Sequence, residues 1–489
     1  MSPRTERTGP VAHADPEQQP DEGYRRALSS RQVQMMALGS AIGVGLFYGS
    51  GGGIAKTGPA LILSFAIAGI VAFLVMRALG ELLTYKPTSG SFVDYAREFL
   101  GPFAGYATGW SYWIAIVTAC MAEVTAAGHY IAYWIPAIPV WLTAAVALAI
   151  LFLANLFSVK VFGELEFWFA SIKVIAIVAM IVIGVGVLAF GFTGLGHSAA
   201  VSNLWSHGGF APHGLWQVVL VLQSVFFAYT GIELVGSTAG EAANPRRTLR
   251  RAINTLPIRI GVFYIGALIV IMSLVPWTSF GPGASPFVQV FNGIGVPAAA
   301  GIMNFVVLTA ALSGCNANFY VSSRLVRRMA SRSEAPTTMR RLSRRSVPAA
   351  ALTLSMCAIG VGIIINVVDP DKAFMYVTSV STCGVLWAWA AILICHLRYR
   401  ARVRSGILPK VDYRMPGAPV TNWIALACIA VVVALLAVDA DTRVTLYVGV
   451  VWILVLAISY GVFKSRRRTG GSSESSDAAK IQDGPAGRS

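Results

Sequence analysis

Three ionisable residues stand in stretches that are otherwise apolar. Lys173 lies in Phe169-Ala170-Ser171-Ile172-Lys173-Val174, Glu123 in Met121-Ala122-Glu123-Val124, and Glu233 closes Phe226-Phe227-Ala228-Tyr229-Thr230-Gly231-Ile232-Glu233. A charge in such surroundings costs on the order of 3 kcal/mol or more, so each points to a use. For a lysine, loss of water makes the charge expensive, and the group becomes able to release and recapture a proton at working pH. The plainer use of Lys173 is a fixed cation pinned to helix-end carbonyls. Glu233 reads equally as a titrating carboxylate and as a structural one tying its segment to a neighbour. Glu123 reads first as an interior hydrogen-bonding group and second as a further proton carrier.

Glycine marks two of the same stretches. Gly39-Ser40-Ala41-Ile42-Gly43-Val44-Gly45-Leu46-Phe47 has three glycines in seven residues, and Gly231 directly precedes Ile232-Glu233. Small residues let helices pack closely, which is the ordinary reading. The other reading is a helix that unwinds. A break frees N–H groups at the start of one half-helix and C=O groups at the end of the other. The N–H end suits a carboxylate and the C=O end an ammonium. One site with both ends fits the backbone of an amino-acid zwitterion, and glycine lets a ligand approach the main chain.

The elements that must carry these residues are membrane spans. The chain has 489 residues, of which 56% are hydrophobic and only 12% charged, with mean hydropathy +0.66. A soluble domain carries about a quarter charged residues, so most of this chain is solvated by lipid. Apolar runs near 33–55, 60–82, 104–134, 140–158, 166–191, 216–239, 256–278, 297–323, 348–367, 373–396, 421–438 and 443–463 predict about twelve spanning helices. The third and eighth runs are long enough to tilt or to extend beyond the bilayer.

The 38 Lys and Arg against 22 Asp and Glu, a net +16, would suggest nucleic acid in a soluble protein. Here the basic residues fall in alternate connections, including Arg324 to Arg345 and Arg398 to Arg414. That alternation follows the positive-inside rule with an even number of spans and both termini in the cytoplasm. Residues 1–32 and 465–489 are expected as disordered cytoplasmic tails around a transporter domain at 33–464. The first and sixth spans then run in opposite directions, as the leading helices of two inverted five-span halves, with two further helices at the end. Glu81, Glu164 and Glu166 are expected near cytoplasmic helix ends, paired with Arg or Lys. The six cysteines lie in or beside apolar runs and read as packed thiols, with no metal-ligand spacing. No paired catalytic residues appear, so the chain is not expected to be an enzyme.

With these residues in view the chain resembles the bacterial amino-acid transporter family of the amino acid–polyamine–organocation superfamily. The resemblance runs through Gln34-Met35-Met36-Ala37-Leu38-Gly39 to Gly43-Val44-Gly45-Leu46-Phe47, Met76-Arg77-Ala78-Leu79-Gly80-Glu81-Leu82, Ser89-Gly90-Ser91-Phe92, Gly163-Glu164-Leu165-Glu166-Phe167-Trp168-Phe169 and Val306-Val307-Leu308-Thr309-Ala310-Ala311-Leu312-Ser313. It covers nearly the whole chain from about residue 28. It implies an all-α membrane protein with the leucine-transporter-type repeat of five plus five helices and with helices one and six broken. By the same resemblance, backbone at Gly43-Val44-Gly45 holds the substrate carboxylate, and carbonyls near Ala41, Phe227 and Thr230 hold the amine. The substrate-binding set is then Ala41, Ile42, Gly43, Val44, Gly45, Phe227, Ala228, Thr230 and Gly231, with Asn316 facing either the pathway or a neighbouring helix. The family often has Thr or Ser between the two glycines; Val44 removes that side-chain hydrogen bond.

The resemblance places Lys173 where sodium sits in sodium-coupled relatives, which favours proton coupling, with Lys173 and Glu233 as carriers and Glu123 as a third group. The implied function is proton-coupled uptake of an amino acid across the cytoplasmic (inner) membrane, with the proton gradient as energy source and no cofactor. Asp94-Tyr95-Ala96-Arg97-Glu98-Phe99-Leu100-Gly101 and Met415-Pro416-Gly417-Ala418-Pro419 look like L-asparagine permeases. Ala252-Ile253-Asn254 and Asp439-Ala440-Asp441-Thr442-Arg443 look like D-serine/D-alanine/glycine permeases. An exchanger and, from a different class, a membrane amino-acid sensor are the alternatives. The expected partners are substrate, protons and lipid.

Overall fold

The computed structural model describes residues 39, 42–88, 90–157, 159–191, 199–234, 245–293, 297–438 and 442–482; the side chains of 157–163, 165, 245–248, 293, 297 and 464–482 fall outside that description. The expected N-terminal tail, the start of the first span and Ala41 lie outside the described residues.

All regular structure among the described residues is helical, and nine helices are long and apolar enough to cross a membrane. We number the main helices α1 (Val44–Phe47), α2 (Gly49–Thr57), α3 (Leu61–Tyr85), α4 (Pro102–Ala132), α5 (Val140–Phe157), α6 (Val159–Phe190), α7 (Leu215–Leu220) and α8 (Leu222–Ala228). They continue as α9 (Leu256–Leu274), α10 (Pro297–Ser331), α11 (Ala349–Val368), α12 (Pro370–Arg404), α13 (Val420–Val438) and α14 (Arg443–Gln482). The expected spans that fall short of a full crossing by themselves are the first, fourth and sixth. The fourth is the apolar helix α5. The first and sixth are interrupted, as α1 with α2 and as α7 with α8. The backbone of α14 stays helical past residue 465, where the sequence places a tail.

Helix starts follow local chemistry. Gly101 sits at φ 110°, a turn open to glycine, and Pro102 then occupies the first turn of α4, where a missing N–H costs nothing. Asp369 caps α12 by accepting from the Lys372 N–H, with Pro370 behind it. The resulting helices are long: α4 has 31 residues and α10 has 35. At 1.5 Å per residue both exceed the roughly 30 Å hydrocarbon core.

The core is built around α4, which packs along α10 and α12. The apolar window of α4 is 83% buried and that of α14 only 6%, so α4 is the axis of the bundle and α14 an outer helix offering its sides to lipid. Inside a bilayer, packing and polar links between helices hold the bundle together. Ser381 of α12 donates to the Ala115 carbonyl of α4 at 2.8 Å, and Gln223 of α8 donates to Ser379 of α12 at 2.7 Å.

Ionic contacts gather at one end. Glu81 meets Arg400 and His396 of α12 at 2.8 and 2.9 Å and accepts from the Met415 N–H, as expected of a helix-end carboxylate. In the connection between α3 and α4, Asp94 pairs with Arg328 at 2.8 Å and with Arg332, and Arg97 pairs with Glu334. The connection is thereby latched to the end of α10. Burial pushes the Asp94 carboxyl up, but Arg328, Arg332 and the Thr88 hydroxyl outweigh it and hold the group below its ordinary value. A depressed carboxyl stabilises above its unfolded value and stops doing so as pH falls through the folded one. The latch should therefore hold across neutral pH and open only in acid. Asp94→Asn is expected to lower the thermal midpoint in detergent at pH 7 by roughly 2–5 °C. A scan of both proteins from pH 7 to pH 3 checks this, because their difference must shrink toward the acid end.

Candidate functional site

Both glycine-marked segments are broken, and the breaks face each other. In the first, the Ile42 N–H reaches back to Gly39 at 3.1 Å, the backbone bends, and Gly43 is extended at φ −128°, ψ −167° before α1 begins at Val44. The N–H groups of Leu46 and Phe47 both turn to the Gly43 carbonyl at 3.2 Å. Those of Val44 and Gly45, first in the helix, have no partner inside it. In the second, α8 ends at Ala228, and turns follow through Thr230 N–H to Phe227 at 3.0 Å and Leu234 N–H to Gly231 at 3.1 Å. Gly231 sits at φ 98°, a conformation that side chains resist, so the break needs glycine there. The breaks touch at Gly45: an added Cβ would stand 2.9 Å from the Ala228 nitrogen. Gly45 therefore serves close packing, the ordinary reading of such a glycine, as well as lining the site.

Between the breaks lies a cavity enclosing about 30 Å³, room for about two waters. Its walls include Ile42, Gly43, Val44 and Gly45 from the first break and Phe227, Ala228, Thr230 and Gly231 from the second. Glu123 of α4 and Gly314 and Asn318 of α10 complete it. The described residues of the expected binding set thus come together here, with one correction. Asn316 turns away from the cavity, and its carbonyl accepts from Asn155 of α5 at 2.8 Å. Gly314, Ala317 and Asn318 are spaced i, i+3, i+4 and share a helix face; Asn316, two residues from Gly314, falls on the other side.

The ionisable residues divide into two groups. Lys173 is fully buried below the first break, where its ammonium donates to the carbonyls of Gly39 at 3.1 Å and Ile42 at 3.4 Å. The Gly39 carbonyl also takes the Ile42 N–H, so the ammonium is a second donor there, at the carbonyl end of the segment before the break. Glu123 and Glu166 both act on Lys173 through space. Glu123 reaches the cavity itself: a Cβ at Gly314 would collide with its carboxylate, one at Gly43 would lie 3.3 Å from Oε1, and its Oε2 is buried without a hydrogen bond among the described residues. Glu166 is a second correction. It is not at a helix end beside Arg or Lys but 1% exposed, accepting from Ser313 at 2.8 Å and facing Gly39. Its helix begins at Val159, so Glu166 is already two turns in. The readable signal was its i, i+7 spacing to Lys173, which puts both on one face.

Glu233 is elsewhere and fully satisfied. Tyr112 donates to it at 2.8 Å, Trp389 at 3.2 Å and the Gly231 N–H at 3.2 Å. It ties the second break to α4 and α12. Glu233→Ala strands three buried donors and is expected to cost about 2–4 kcal/mol. A fall in the detergent thermal midpoint and in monodisperse yield checks this.

The arrangement sets the helix-start N–H groups of Val44 and Gly45 at a small cavity, with the Lys173 ammonium buried behind it on the Gly39 and Ile42 carbonyls, and a helix-start N–H pair of this kind suits a carboxylate. The Amino acid permease family model matches residues 32–470. A Bacillus subtilis protein named as an uncharacterized amino acid permease is 46% identical over 94% of this chain and 99% of its own length. The L-asparagine permease of Streptomyces coelicolor is 43% identical over 92% of both chains. The aromatic amino acid transport protein of Escherichia coli is 42% identical over 92% of this chain and 97% of its own. On that extent and identity, the chain belongs to the amino acid permease family, a family of multi-span membrane transporters.

Proposed function

We propose that this permease drives a small neutral amino acid, L-asparagine first among them, into the cell by proton symport across the cytoplasmic membrane. In this reading the chain spans the membrane twelve times, as five plus five inverted helices and two more, with both termini in the cytoplasm. The substrate carboxylate takes the N–H groups of Val44 and Gly45, and its ammonium takes carbonyls of the two breaks. Lys173 carries the proton: protonated, it holds the Gly39 and Ile42 carbonyls, and deprotonated, it releases them, so the first break feels the proton directly. Glu233 holds the second break. The observation that supports this most is the Lys173 ammonium resting on the carbonyl end of the first break, at 3.1 and 3.4 Å. The 43% identity to an L-asparagine permease supports the choice of substrate, and the 42% identity to an aromatic transporter shows why uptake must be measured.

The test is uptake into proteoliposomes of radiolabelled L-asparagine, glycine, D-serine, D-alanine, L-phenylalanine and γ-aminobutyrate, driven by an inward proton gradient without sodium. Accumulation that a protonophore collapses is the expected result. Counterflow without accumulation would replace symport by exchange. Binding without either would favour a sensor.

A further inference from the structure

One wall of the cavity has no place in the binding of a zwitterion backbone. On α10, Gly314 and Ala317 keep the wall low and Asn318 raises an amide beside them. Asn318 is 8% exposed, and no hydrogen bond to another described residue occupies its side chain. Other buried amides in the bundle are at least partly used: Asn304 donates to the Tyr130 carbonyl at 2.7 Å, Asn366 to Thr125 at 2.8 Å and Asn422 to the Leu393 carbonyl at 3.3 Å, while the Asn366 and Asn422 oxygens and Asn316 Nδ2 have no partner among the described residues. The Asn318 side chain lines the cavity, where a ligand or a water can complete its hydrogen bonds. Two more unpartnered polar atoms line the same space, the Thr230 hydroxyl and Glu123 Oε2.

We propose that Asn318, with the Thr230 hydroxyl, forms a side-chain subsite that selects amino acids whose short side chain ends in a hydroxyl or an amide. This rests on the transport reading above and adds the substrate class to it. An amide presents a donor and an acceptor together, and so do a hydroxyl and a second amide; a hydrocarbon side chain matches neither. A site built to hydrogen-bond its substrate rejects the analogue that cannot, because its own groups are then left unpaired.

The experiment compares near-isosteric pairs, L-threonine against L-valine and L-asparagine against L-leucine, as competitors of radiolabelled uptake in proteoliposomes. The wild type is expected to favour the polar member of each pair by roughly ten- to hundredfold. Asn318→Leu and Asn318→Ala should erase most of that preference by weakening the polar competitor, while the apolar one holds or gains. The alanine variant adds no bulk and remains informative if the leucine variant does not fold. A wild type without polar preference, or a preference that survives both substitutions, overturns the proposal. Should the wild type take up no amino acid, the transport reading fails on its own. The same pairs are then compared by ligand-induced thermal stabilisation, where a polar preference that depends on Asn318 sustains the subsite and its absence removes it.

Discussion

Lys173→Met will insert and fold but will no longer concentrate its substrate. In one-to-one symport a gradient of one pH unit supplies about 1.4 kcal/mol, enough to sustain about a tenfold accumulation. The wild type should approach that ratio and the variant should stay near one, with an initial rate flat from pH 5 to pH 8. The reason is local. Methionine keeps most of the length of the side chain and removes both the ammonium and the titration, so the carbonyls of Gly39 and Ile42 lose their only charged donor among the described residues. The break then settles into one state whatever the pH. Uptake rate against pH, with monodispersity as the folding control, decides the matter, and an unchanged pH profile in a folded variant removes Lys173 from the coupling step. Glu123 and Glu166 share the field of Lys173, so Glu166→Gln tells a proton held by the whole cluster from one held by the lysine alone.

Gly43→Leu will reduce apparent substrate affinity by about a hundredfold or more. A single added carbon at Gly43 already meets Glu123 Oε1 at 3.3 Å, and a leucine has three more to place in a cavity of about 30 Å³. The side chain would occupy the position where a carboxylate must reach the N–H groups of α1, and a misplacement of about 1 Å at such a site costs on the order of a hundredfold. Gly45→Ala is the informative companion. Its added carbon runs into the Ala228 backbone, so it should separate the two breaks and lower the folded yield before affinity can be read. Binding measured by thermal shift on both variants separates the two glycines, and normal affinity in folded Gly43→Leu would mean that the first break is not the site.

Much of this was legible along the chain, because lipid imposes one-dimensional rules. A segment crosses only if it is long and apolar, so spans announce themselves in composition. Backbone in lipid must satisfy its own hydrogen bonds, so glycines at mid-span mark either a close approach or a break, and here Gly45 does both. Lys173 could be singled out for the same reason: an ammonium among apolar residues must have a partner.

What the chain could not show is rotation about the helix axis and contact across long separations. Asn316 and Asn318 are equivalent in composition, and only the packing of α10 against α4 and α5 turns one to Asn155 and the other to the cavity. Glu233 looks as exposed to function as Glu123 until Tyr112 and Trp389, 121 and 156 residues away, close on its two oxygens. Glu166 looks like a helix-end carboxylate until α6 is seen to begin at Val159 and to carry it inward to Ser313. Hydropathy and glycine placement, both local, determined that this protein lives in a membrane and marked where its helices yield. Which polar groups remain unpaired there, and so free to bind, was decided by tertiary packing, because hydrogen bonds are satisfied by neighbours in space.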